Sequence, residues 1–215
     1  MIRRLALLFR IWPGILSFLL LLSSGALAQR CDCPEGMEHL CRCNVLIDGK
    51  VANQQLAYLN RLLEAEFSEF LEQSPVAEVR VGKKSEMMLK GEAAQGYIDT
   101  APRDGGGMRI LLNPGLRRDE ALMVLAHELG HAWQFGSRSD AEEIEDFMAE
   151  GFAEWVAFHL TRRAGLTEFS YRIKNNSDPL YGAGFRWYLA LEEKHGVGAV
   201  ISVMLNWLDR EGTRG

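Results

Sequence analysis

The chain has 215 residues, a formal net charge of −5 and 47% hydrophobic residues. The acidic balance and the absence of a basic cluster beyond the N-terminal segment argue against a nucleic-acid surface. No repeat or low-complexity tract interrupts it, and residues 29–215 suit one domain with one core.

Residues 1–28 carry Arg3 and Arg4, a mostly apolar run over 11–22, and Ala26-Leu27-Ala28 before Gln29. This is the charged, apolar, small-x-small order of a cleaved secretory signal peptide, so the expected location is periplasmic or secreted. The rival reading is an uncleaved anchor, since 11–28 just reaches the minimum of about 17 residues for a membrane span. Pro13, Gly14 and Ala28 favour removal. No later run approaches spanning length, so the mature chain has no membrane span unless the signal stays attached. Residues 29–48 form a cysteine-rich knob holding Cys31, Cys33, Cys41 and Cys43, with His39 between the two pairs. In an exported chain such a set predicts two disulfides. The alternative is a zinc knot, although each pair has one intervening residue where metal sites usually have two.

Residues 49–215 open with an amphipathic helix over 51–71, whose stripe is Leu56, Leu59, Leu63, Phe67, Phe70 and Leu71. Ser74-Pro75 ends it, and Val76–Val81 follows as a short strand. Tyr97-Ile98 and Met108–Leu112 are two further strands, with Gly105-Gly106-Gly107 as the turn between them. The glycine triplet lacks the Lys-Ser/Thr of a phosphate loop, which argues against nucleotide binding. Met108–Leu112 is the expected edge strand, able to accept an extended peptide by backbone hydrogen bonds, with an internal strand as the alternative. These elements and the helices that follow predict an α+β domain.

A helix over 118–135 is apolar nearly all round, through Leu122, Val124, Leu125 and Leu129, and is therefore expected to be buried. It carries His127-Glu128-Leu129-Gly130-His131. Helix positions four apart differ by about 40°, so His127 and His131 share a face and can grip one metal ion. Glu128 lies about 100° from His127, within reach of a metal-bound water without being a ligand. A pair of core or surface histidines is the plain alternative. Eighteen residues separate His131 from Glu150. Glu150 lies on a helix over 140–159 with Ile144, Phe147, Met148, Phe152, Trp155, Val156 and His159 as its apolar stripe, and Ser139 with Glu142 as a capping box. Glu150 lines up with Glu143, Asp146 and Glu154, which also fits a solvated acidic face. The small residues Ala149, Gly151, Ala153 and Ala157 instead suggest close packing around a site, which makes Glu150 the expected third metal ligand. Two His and one Glu are an established zinc set that leaves a position open for water.

His127-Glu128-x-x-His131 followed after eighteen residues by Glu150-Gly151-Phe152-Ala153 resembles the gluzincin metallopeptidases, including M1-type aminopeptidases. The Gly-Ala-Met-Glu-Asn substrate motif of those aminopeptidases is absent. The chain is more similar to the DA1-like peptidase family, through its upstream cysteines, the His-Glu-x-x-His-Ala-Trp element ending at Trp133, the Glu-Gly helix, and Tyr181-Gly182-Ala183-Gly184-Phe185-Arg186. The likeness runs from Cys31 to Leu205, and only the metal elements and the Tyr181 segment are specific. The cysteines lack the full spacing of a LIM zinc module, and the ubiquitin-dependent activation of plant DA1 does not carry over to an exported chain.

The resemblance implies a zincin-like fold: a small mixed sheet, a His-Glu-x-x-His helix, a following Glu-ligand helix and C-terminal helices. It implies Zn2+ and hydrolysis of a peptide or protein substrate, with Glu128 as general base toward the zinc-activated water. Glu154 is expected to orient a His ligand or to be solvated. Tyr181, Tyr171 and His195 are the candidate oxyanion donors; Tyr181 is favoured, as a phenol on a flexible glycine turn anchored by Phe185, Trp187 and Tyr188. The competing reading is a non-catalytic, zinc-stabilised extracytoplasmic binding module. A structural site normally closes its fourth position with Cys or His, and only His159, on the apolar stripe, is near either helix.

Overall fold

Asp48 sets where the folded part begins. Its carboxylate accepts from the backbone N–H of Val51 at 2.9 Å and meets Arg118 at 3.2 Å, contacts that hold its pKa below the ordinary value. That cap, worth about 1 kcal/mol, starts helix α1 at Gly49 (Gly49–Glu66), two residues before the expected start. The computed structural model describes residues 46–71, 76–83, 87, 95–100, 107–137 and 144–206. Residues 1–28, read above as a signal peptide, the four cysteines and Ser74-Pro75 lie outside them. Helix α1 ends at Glu66, short of the expected 71, and buries Leu56, Leu59 and Leu63.

Strands β1 (Val76–Val81), β2 (Gly96–Asp99) and β3 (Met108–Leu112) form a sheet in the order β1-β3-β2. β3 pairs parallel with β1 and antiparallel with β2. Met108–Leu112 is therefore the central strand, and the expectation of an edge there is corrected. The reason is visible in its side chains: Ile110 and Leu112 enter the main core, while Leu111 packs with Met87 and Tyr97 in a second apolar cluster. A strand covered on both faces has an unbroken apolar run, as Ile110-Leu111-Leu112 does. The outer edge of β1 is stitched to α1, because the Asn53 amide donates to the Val79 carbonyl at 2.9 Å and accepts from its N–H at 3.3 Å. The outer edge of β2 pairs with no other strand among the described residues.

Five more helices follow: α2 (Arg118–Ser137), α3 (Asp146–Arg163), α4 (Thr167–Lys174), α5 (Tyr181–His195) and α6 (Val197–Asn206). The described chain is thus a mixed α+β protein of six helices and a three-stranded mixed sheet. Helix α3 begins at Asp146, later than the expected 140, with Glu145 at its cap making no side-chain bond; the Ser139–Glu142 box lies outside the described residues. Helices α2, α3 and α5 meet at glycines. A Cβ on Gly130 would sit 2.6 Å from Ala153 Cα, and one on Gly151 would sit 2.5 Å from the Gly184 carbonyl carbon. These contacts bring α3 against α2 on one side and α5 on the other, as the small residues had suggested for Gly151 and Ala153. Behind them Phe67, Trp133, Phe152, Trp155 and Tyr188 form a buried aromatic cluster with ring centroids 5.1–5.7 Å apart along successive pairs.

Candidate metal centre

The helical spacing places His127 and His131 on one face of α2, with ring centroids 4.8 Å apart. The Gly130–Ala153 contact then delivers Glu150 from α3 to the same point. His127 Nε2 lies 3.2 Å from Glu150 Oε2, His131 Nε2 lies 3.3 Å from it, and the two Nε2 atoms are 3.2 Å apart. An ion bound tetrahedrally at about 2.0–2.1 Å holds its ligand atoms about 3.3–3.4 Å from one another, so this triangle has the size of one face of a zinc site. All three side chains are buried, and no fourth His, Cys, Asp or Glu joins them among the described residues. Glu150 is therefore no solvated face residue. Burial by itself would raise its carboxyl, but the charge of His131 and the hydrogen bond and charge of His127 outweigh it and hold the pKa at about 2. For His127, burial opposes the charged form, and Glu150 and Glu154 overcome it and raise its pKa well above the ordinary value.

Each imidazole is also held from behind. Glu154, one turn after Glu150, places Oε1 3.5 Å from His127 Nδ1, so it is positioned to orient that ring. His131 Nδ1 lies 2.9 Å from Gln134 Oε1, and the Gln134 amide donates to the Ala149 carbonyl at 3.2 Å. Gln134 was missed in the sequence. A polar residue three positions after His131, on a helix apolar nearly all round, was the signal that marked it.

Glu128 is buried beside the triangle, and its Oε2 has no hydrogen-bond partner among the described residues. A buried carboxylate oxygen without a donor costs free energy, and water or a substrate N–H at the metal would satisfy it. Burial raises the Glu128 pKa, with the His131 and His127 charges opposing and Glu150 adding to the rise. The first residue of β2 packs directly on this carboxylate: a Cβ on Gly96 would fall 2.7 Å from Glu128 Oε1 and 2.5 Å from Val124 Cγ1. The strand that meets the site is thus β2, the immediate neighbour of the Met108–Leu112 strand that the sequence alone had made the edge.

Tyr181 is buried, with its ring centroid 6.0 Å from that of His127. It opens α5 rather than sitting on a flexible turn, because the Asp178 carboxylate accepts from the N–H groups of Leu180 and Tyr181 at 2.8 and 2.9 Å. Gly184 serves the contact with Gly151 instead of freeing the backbone. Burial, then the charges of Glu150 and Glu154, raise the Tyr181 pKa, so its phenol stays protonated at neutral pH. Of the other two candidates, Tyr171 stands 68% exposed on α4. His195 ends α5, about 21 Å along the axis from Tyr181 at 1.5 Å per residue, and is exposed. His195 therefore does not accompany Tyr181 at the site. His159 lies nine residues beyond Glu150 on α3 and bonds Glu66 and Glu192, so it closes no fourth metal position.

The fold and site together define an α+β protein with a buried His-His-Glu group that can hold a metal ion. Comparison of the chain with protein-family models, curated proteins and solved structures finds no match.

Proposed function

We propose that this chain is an exported zinc-dependent peptidase of zincin-like architecture, related to the DA1-like family, that hydrolyses peptide bonds with Glu128 as general base. The observation that carries the reading is the triangle of His127 Nε2, His131 Nε2 and Glu150 Oε2 beside the unpartnered Glu128 Oε2. Two imidazoles and one carboxylate suit zinc, and three protein donors leave the position that catalytic sites keep open. A bound zinc supplies Lewis acidity and brings the pKa of a coordinated water to near 7.

The chain's own groups do the rest. Glu128 takes a proton from the attacking water at Oε2 and returns it to the leaving amine, a role suited to a carboxyl whose pKa burial raises above the ordinary value. The protonated phenol of Tyr181 donates to the oxyanion from beside His127. Glu154 fixes the His127 ring. Gly96 lets the backbone of β2 lie directly against the Glu128 carboxylate.

Metal analysis of the purified chain, paired with cleavage of a diverse peptide library, tests the proposal. About one zinc per chain at this site, and cleavage that stops on chelation and returns with zinc, are the expected results. Glu150→Ala should lose its zinc to mild chelation, because one of only three donors is gone. Full zinc occupancy in that variant would overturn the ligand set. Zinc binding with no cleavage of any library member would favour the non-catalytic module instead.

A further inference from the structure

The Gln134 side chain joins the helix that carries both histidines to the helix that carries Glu150, and its hydrogen bonds can run in only one direction. A backbone carbonyl only accepts, so the amide –NH2 must face Ala149 O, which it meets at 3.2 Å. Turning the amide round would set its oxygen against the Ala149 carbonyl oxygen in a place where Gln134 is 2% exposed. Gln134 Oε1 is thereby committed to the 2.9 Å contact with His131 Nδ1. An amide oxygen donates nothing, so Nδ1 must carry the hydrogen. A neutral imidazole protonated on Nδ1 has its lone pair on Nε2, the nitrogen that faces Glu150 Oε2 and His127 Nε2.

We infer that Gln134 is a positioning residue, which uses the Ala149 carbonyl as its reference to keep the hydrogen of the His131 ring on Nδ1 and present Nε2 as the metal donor. This rests on the metal-site reading. Ala149 immediately precedes Glu150, so the same amide ties the second imidazole to the turn that bears the third donor. The two histidines are thus held by unlike partners. His127 meets a carboxylate, whereas His131 meets a neutral amide whose orientation is dictated by backbone.

The test uses the full metal-free chain with 15N-labelled histidine, taken to alkaline pH until the His131 nitrogen shifts no longer change. Long-range proton–nitrogen correlation should report the Nδ1–H form at His131, opposite to the Nε2–H form that predominates in free side chains. Gln134→Met keeps an unbranched chain of similar length without the amide. In it the His131 signature should revert toward Nε2–H, and zinc affinity by chelator competition should weaken by about 10- to 100-fold. The Nε2–H form in the wild type would overturn the inference, as would an unchanged tautomer and zinc affinity in the variant. The wild-type spectrum decides even if Gln134→Met fails to fold. An Nδ1–H ring in a chain that takes up no zinc would sink the metal reading while leaving the tautomer assignment standing, so the two failures are distinguishable.

Discussion

Helix α3 carries two clusters of histidine and carboxylate about 13 Å apart along its axis, the first buried and the second partly so, and they are built on opposite principles. At the first, three donor atoms from His127, His131 and Glu150 converge on one point, and the nearby Glu128 Oε2 is left without a partner. At the second, the two nitrogens of His159 diverge, one toward Glu66 at 3.3 Å and the other toward Glu192 at 2.9 Å. Both of those carboxylates have further donors, Arg163 on Glu66 and the Trp155 indole on Glu192. A cluster whose hydrogen bonds all close on one another ties α1, α3 and α5 together and has no capacity left for chemistry. A cluster with converging donors and an unsatisfied oxygen can take up a ligand. Residue types alone do not separate the two; the direction of the side chains does.

The largest expected effect belongs to the first cluster. Glu128→Gln keeps shape and loses basicity, so turnover should fall by roughly 10²- to 10⁴-fold with zinc content unchanged. Turnover at the wild-type rate on a responsive peptide would remove Glu128 as base and break the contrast at its functional end. Tyr181→Phe should come next, with a loss on the order of 3 kcal/mol, or about a hundredfold in turnover, and little change in KM or zinc content. If that variant works at full rate, the phenol is packing.

The closed cluster should answer in stability instead. His159→Phe keeps a ring among Phe67, Trp155 and Phe158 but removes both hydrogen bonds, at a cost of about 2 kcal/mol and a Tm lower by roughly 4–8 °C. Zinc content and turnover of the folded variant should stay as in the wild type; zinc loss would show that the two clusters are coupled. The smallest effect is one of pH. Burial opposes ionisation of Glu192, but hydrogen bonds from His159 and Trp155 outweigh it and hold its pKa below the ordinary 4.5. Its contribution is therefore present above pH 4.5 and fades as pH falls through the lower folded value. The wild type should lose Tm more steeply below that pH than Glu192→Gln does, by no more than about 1 kcal/mol because the carboxylate is partly exposed. Parallel curves for the two proteins would assign the hydrogen bonds no weight.

What the sequence determined by itself is whatever one element settles internally. The shared face of His127 and His131, the burial of the helix that bears them, the extents of Val76–Val81 and Met108–Leu112, and the candidacy of Glu150 all follow from fixed periods of helix and strand. Distances between elements have no such period. Glu150 shares its helix face with Asp146 and Glu154, and only the approach at Gly130 and Ala153 decides that Glu150 completes the triangle while Glu154 reaches the back of His127. Strand order is equally non-local: β3 became central because β2, earlier in the chain, pairs on its far side, which set Gly96 rather than Met108–Leu112 against Glu128. Tyr181 was favoured over Tyr171 and His195 from its glycine-rich segment, and the Gly151–Gly184 contact supplies what that segment could not, by setting the start of α5 and not its end beside the histidines. Gln134 shows the limit most plainly, since its role depends on a carbonyl fifteen residues away that carries no side-chain signature at all.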